Sequence, residues 1–143
     1  MLGIRTPILQ RLHDDWENRR RGRAFPARSD FDVLDLKYII GQLALVDVGY
    51  DPMRFRFRLH GTGISQRVGY EMTGKDVDEL PPPVVRSLVR RHFIAVVEQR
   101  VPLVEVRERP IMDDRVLASE TLVLPLSRDG VTIDTLILGL VFL

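Results

Sequence analysis

The 143 residues carry 21 basic and 20 acidic side chains, a formal net charge of +1, with 45% hydrophobic and 29% charged residues. That composition suits one ordinary globular domain with one core, and its balanced charge gives no whole-molecule field toward nucleic acid or membrane. The absence of cysteine excludes disulfides, thiolate catalysis, cysteine zinc sites and thiol-linked chromophores.

Met1 to Ile8 lacks the apolar run of a secretion signal, and the longest apolar stretch, Leu136 to Leu143, is far shorter than the ~20 residues that span a bilayer. A cytoplasmic protein without membrane association is expected. Only Lys37 and Lys75 are lysine among the 21 basic residues, which reads as the coding bias of a GC-rich bacterial genome rather than a phosphate-binding signal.

The first predicted element is a flanking helix within residues 1–24. Thr6 suits its cap and Pro7 its first turn; Ile8, Leu12 and Trp16 recur at i, i+4 and i+8 as a narrow apolar stripe. Arg19, Arg20, Arg21 and Gly22 end it with cations at the negative end of the helix dipole and a stop. A shorter helix is expected from Val33 to Ile40, capped by Asp32, with Asp35 in its first turn and Gly41 as its stop.

The period then changes to that of strands. Leu43 to Val48 is apolar except for Asp47, and Asp51-Pro52 turns the chain. Phe55, Phe57 and Leu59 alternate with Arg56, Arg58 and His60, predicting one buried and one wet face, with His60 outward. Gly61 to Gly74 reads as short helical turns, and Pro81 to Pro83 lead into the best helix, Val84 to Arg100. Three strands follow: Leu103 to Arg109, with Val104 and Val106 opposite Glu105, Arg107 and Arg109; Leu117 to Leu126; and Thr132 to Phe142 after an Arg128-Asp129-Gly130 turn. Asp113-Asp114-Arg115 is read as a turn.

Charge orders the sheet. Strands with a charged row tolerate an edge, whereas Leu43 to Val46 and Leu136 to Phe142 are apolar on both faces and belong in the centre. The fold class is α+β: a five-stranded antiparallel sheet, helices between its second and third strands, and the flanking helix at residues 1–24 before a domain at 25–143.

That order of elements resembles the PAS fold, with strands in the order 2-1-5-4-3. Arg58-Leu59-His60-Gly61-Thr62, Gly69-Tyr70 and Met72-Thr73-Gly74-Lys75 resemble the helical turns of PAS domains. Together with Pro26-Ala27-Arg28-Ser29-Asp30-Phe31-Asp32 and Phe55-Arg56-Phe57-Arg58-Leu59, they resemble a family of bacterial single-domain PAS-like proteins over roughly residues 20–142. The resemblance implies a sensory or adaptor module that is not an enzyme. It carries over no ligand, cofactor or site residue. The missing cysteine separates the chain from the thiol-dependent light sensors.

A small ligand is expected between the sheet and the long helix, lined by Phe57, Leu59, Tyr70, His92, Phe93 and Val96. His92 lies where haem-binding PAS domains place their axial ligand, but a lone histidine is weak evidence for a metal. His13, His60 and His92 have no metal-binding spacing. Gly61-x-Gly63 lacks the rest of a dinucleotide fingerprint and reads as a sharp backbone turn. Ser65, Ser87, Ser119 and Ser127 have no histidine at a recognisable spacing. Asp14-Asp15 is an adjacent pair, and neighbours usually diverge.

Ile8, Leu12 and Trp16 either lie on the chain's own sheet or meet a twin helix in a homodimer, and the dimer is the favoured expectation. Output would then pass to an unidentified partner protein. Two alternatives remain: an isomerase- or dehydratase-like enzyme on a cone-shaped α+β fold, and nucleic-acid binding through Arg19, Arg20, Arg21 and Arg23.

Overall fold

The computed structural model describes residues 2–108 and 117–143; the expected turn at Asp113-Asp114-Arg115 and the strand end at Arg109 lie outside the described residues. The main elements are α1 (Pro7–Arg20), β1 (Leu43–Gly49), β2 (Arg54–His60), α2 (Thr62–Val68), α3 (Pro83–Gln99), β3 (Leu103–Arg107), β4 (Ser119–Leu126) and β5 (Thr135–Phe142). The strands form one antiparallel sheet in the order β2-β1-β5-β4-β3. The doubly apolar strands β1 and β5 are interior, as the charge argument requires, and the charged strands β2 and β3 are the edges.

Two short 3₁₀ turns, Val33–Leu36 and Ile40–Gln42, stand where a second helix was expected. The capping signal is used: Asp32 accepts from the Leu34 N–H and Asp35 from the Asp32 N–H. The tighter three-residue repeat puts Leu36 and Ile39, each 1% exposed, on the same inward side.

Side chains alternate along each strand, so the sheet has two differently covered faces. Gly139 lies on the α1 face. A Cβ there would stand 2.6 Å from Leu9 Cδ2 and 3.0 Å from Leu12 Cδ2, so glycine sets how closely the helix can approach. Leu138 lies on the opposite face, beneath α3.

α1 buries Leu9, Leu12 and Trp16, while Ile8 is half-buried. The expected stripe is thus rotated by one position at its start. Trp16 Nε1 donates to the Pro125 carbonyl at 2.8 Å. Glu120 of β4, fully buried, accepts from Arg5 N (2.6 Å), Thr6 N (2.8 Å) and Thr6 Oγ1 (2.5 Å). Glu120 therefore anchors the two residues that precede the helix, and the Thr6 hydroxyl, donated to the same carboxylate, makes no cap hydrogen bond. This corrects the interface expectation for Leu12 and Trp16: both are packed away against the chain's own sheet, where Gly139 leaves room for the helix.

The arginines in the last turn of α1 and just after it are also used internally. Arg23 donates to the Arg20 and Arg19 carbonyls at 2.8 and 2.9 Å and to Asp30 at 2.6 Å. Arg19 pairs with Asp15 at 2.8 Å and Asp35 at 3.4 Å, and Arg20 pairs with Glu17. The cluster satisfies the helix's last carbonyls and stitches α1 to the loop after it. Three of the four arginines, Arg19, Arg20 and Arg23, are thus paired with acidic side chains.

Candidate functional site

Between the sheet and α3 lies a cavity of about 250 Å³. Its floor is Phe57 and His60 of β2, Thr121 and Val123 of β4, and Leu138 and Leu140 of β5. Val85, Leu88, Val89, His92 and Phe93 of α3 form the roof, with Ile64, Val68 and Tyr70 closing one side. Phe93 packs on Phe55 and Phe57 with ring centroids 5.4 and 6.2 Å away. These tilted aromatic contacts hold α3 on the sheet at the cavity's end.

Of the candidate pocket residues, Phe57, Tyr70, His92 and Phe93 line the cavity. Leu59 and Val96 do not. Val96 is buried, but α3 packs straight onto the core beyond Phe93. Leu59 is displaced by an irregularity in β2: Leu45 pairs with Leu59, yet Val46 pairs with Phe57. Arg58 is the extra residue of a bulge, and one extra residue exchanges the faces beyond it. Leu59 therefore lies on the α1 face with Leu45, and His60 enters the cavity floor at 7% exposure. The outward position expected for His60 is corrected by that single residue.

The imidazole of His60 is fixed on several sides. Its Nδ1 lies 2.8 Å from Ser65 Oγ, and Ser65 Oγ donates toward Glu71 Oε2 (2.7 Å) and the Gly61 carbonyl (3.1 Å). Tyr70 stacks on the ring at 6.4 Å between centroids, and Phe57 meets its edge at 5.7 Å. Glu71 also accepts from the Thr73 amide at 2.8 Å and from the Thr73 hydroxyl. The Thr73 and Ser65 hydroxyls and the Thr73 amide push its pKa down to about 2. Burial lowers the pKa of His60, and the nearby Glu71 charge offsets part of that shift.

This geometry also answers the expectation that Ser65 lacks a histidine. The two do meet, but the carboxylate touches the serine and not the far side of the imidazole. A nucleophilic triad needs the reverse order, with the histidine between the other two. Gly61 and Gly63 serve close backbone approach: a Cβ on Gly61 would lie 2.4 Å from the Gly41 carbonyl, and one on Gly63 2.8 Å from the same atom.

The other polar wall joins α3 to β3. His92 Nε2 contacts Glu105, and Arg107 pairs with the same carboxylate at 3.0 Å. Burial lowers the pKa of His92, opposed by Glu105 and assisted by Arg91 and Arg107. A neutral His92 whose Nε2–H faces Glu105 satisfies that contact, and that nitrogen then has no lone pair for an iron. Glu105 and Arg107 were expected on a wet face. They point inward instead, a device by which an edge strand resists pairing with other chains.

The whole arrangement, from strand order to the helices between β2 and β3, recurs in known proteins. A family model described as PAS domain matches residues 4–142. The chain belongs to the PAS domain family. Among solved structures it is similar to a sensory box sensor histidine kinase from Vibrio cholerae, at 22% identity and a TM-score of 0.52, over 77% of this chain and 90% of that one. It is also similar to the PAS domain of a protein from Colwellia psychrerythraea (15% identity, TM-score 0.47, 78% of this chain and 98% of that one). A fungal LOV domain photoreceptor matches at 14% identity and a TM-score of 0.49, over 81% of this chain and 94% of that one. No curated protein matches the sequence. At these identities the structural likeness speaks to the PAS fold alone. Among the described residues, no helix is long and apolar enough to cross a membrane, and no group of three or more His, Asp or Glu is placed to hold a metal.

Proposed function

We propose that this PAS domain is a sensory module whose input is a small, mostly apolar molecule held between the sheet and α3. The observation that carries the reading is the cavity itself, about 250 Å³ with aromatic and aliphatic walls and a few polar groups at its ends. A molecule that fills it bridges α3 to four of the five strands, so its binding energy acts on how the helix sits on the sheet. Output passes by contact with a protein partner, including a second copy of the chain. Half-buried Ile8 on α1 supports this. So do Val33 and Leu34, 63% and 76% exposed on the neighbouring turn.

Thermal denaturation with toluene and 4-ethylanisole as probes tests the input. A saturable rise in Tm is expected, equivalent to about 2.7 kcal/mol at 100 times the Kd. Filling the cavity with Val89→Trp removes it. If neither probe shifts Tm, and native mass spectrometry of freshly purified protein gives only the bare chain, the ligand reading fails.

A further inference from the structure

The hydrogen bonds around His60 determine what its cavity-facing nitrogen can do. Ser65 has one hydroxyl proton, and both Glu71 Oε2 (2.7 Å) and the Gly61 carbonyl (3.1 Å) are acceptors for it. A carboxylate and a carbonyl donate nothing. The third contact on Ser65 Oγ, from His60 Nδ1 at 2.8 Å, must therefore bring its own proton. A neutral imidazole has one N–H, so Nδ1 carries it and Nε2 holds a bare lone pair.

That lone pair has no hydrogen-bond partner among the described residues. The His60 side chain is only 5% exposed, and the residue is part of the cavity wall. Among the described residues, Arg20 Nε and Tyr38 Oη are the fully enclosed side-chain atoms without a partner. Nε2 is not one of them, so it keeps accessible surface, and His60 borders the cavity while its Nδ1 is turned to Ser65. The stacked Tyr70 and the edge-on Phe57 prevent the ring from swinging away. At the opposite wall, His92, Glu105 and Arg107 are already joined to one another.

We infer that the molecule sensed here is a neutral, ring-sized apolar compound carrying one hydrogen-bond donor, a hydroxyl or N–H, which it delivers to His60 Nε2. This rests on the reading of the cavity as a ligand site and narrows it. A carboxylate in the same place would set its charge against the lone pair of Nε2, with Glu71 behind the ring. The single guanidinium among the described lining residues, that of Arg107, is already shared with Glu105. His60 acts as the acceptor, while Ser65 positions it by fixing the tautomer.

The test uses the full chain at pH 7 and three probes of nearly equal shape: 4-ethylphenol, 4-ethylanisole and 4-ethylbenzoate. Titration calorimetry is expected to give the phenol an affinity about tenfold or more above the anisole, the consequence of leaving a buried acceptor unpaired. The benzoate should be weakest. His60→Phe keeps a ring but no acceptor and should make phenol and anisole equal. Independently, long-range ¹H–¹⁵N correlation on the unaltered protein should show His60 protonated on Nδ1, and Ser65→Ala should release that preference. Equal phenol and anisole affinities, a stronger benzoate, or an Nε2–H tautomer overturns the inference and leaves the cavity reading intact. Failure of all three probes to bind overturns the inference, and a bare chain in native mass spectrometry then takes the cavity reading with it.

Discussion

Glu120 is the residue whose role owes most to the fold. It is the single acid in an apolar strand, fully buried, and its partners Arg5 and Thr6 lie more than a hundred residues away. Burial alone would raise its pKa, but hydrogen bonds from the Thr6 hydroxyl and the Arg5 and Thr6 amides outweigh that and hold it below the ordinary 4.5. Glu120→Ala strands those donors at the start of α1 and should cost about 1–3 kcal/mol in chemical denaturation. The same linkage sets an acid limb. Glu120 and Glu71 both have lowered pKa values, so their stabilisation is full above about pH 4.5 and is lost as pH falls through their folded values. His60 and His92 are also lowered, from 6.5, so the unfolded chain takes up protons first as pH falls below about 6.5, and stability declines there too. Denaturation midpoints from pH 8 to 3 should fall in both windows. Glu120→Gln should flatten only the lower one; a lower limb unchanged by that substitution would refute the assignment.

At the scale of elements, periodicity located the helices and strands well but misplaced the faces where one residue changed the phase. Alternation in Phe55 to His60 was legible, while the bulge at Arg58 was not, because a bulge has no side-chain signature in a run of alternating arginines. It moved Leu59 out of the cavity and His60 in. α1 was similarly legible as an amphipathic helix, but its choice between its own sheet and a twin was not. That choice depends on Gly139, far away in β5, where a missing side chain admits Leu9 and Leu12. Gly139→Val should therefore push α1 off the sheet and destabilise the fold by about 1–3 kcal/mol, the usual cost of overpacking a core. Hydrogen exchange in α1 should accelerate more than in α3. Equal acceleration in both helices would mean that α1 is not held by this contact.

For the whole molecule, charge placed β1 and β5 in the interior because both are almost wholly apolar, whereas the complete strand order was legible only through the resemblance to PAS domains. The polar ends of the cavity were less legible, since Glu105 and His92 acquire meaning only when α3 crosses β3. The same holds for association. With Leu12 and Trp16 covered by the chain's own sheet, a homodimer must use other apolar surface, and Val33 and Leu34 are the most exposed apolar side chains beside α1. Leu34 stands at 76% exposure over a groove also lined by Arg11, Asp14 and Asp15, so a partner there would meet an apolar tip ringed by charge. Sedimentation velocity over a range of concentrations should show a dimer that Val33→Glu and Leu34→Glu together convert to monomer, with Tm unchanged at dilutions where the unaltered chain is itself monomeric, because neither side chain contributes to the core. A dimer that persists in the double variant moves the interface elsewhere. An unaltered chain that stays monomeric at every concentration removes self-association from the output mechanism and leaves the partner protein to carry it.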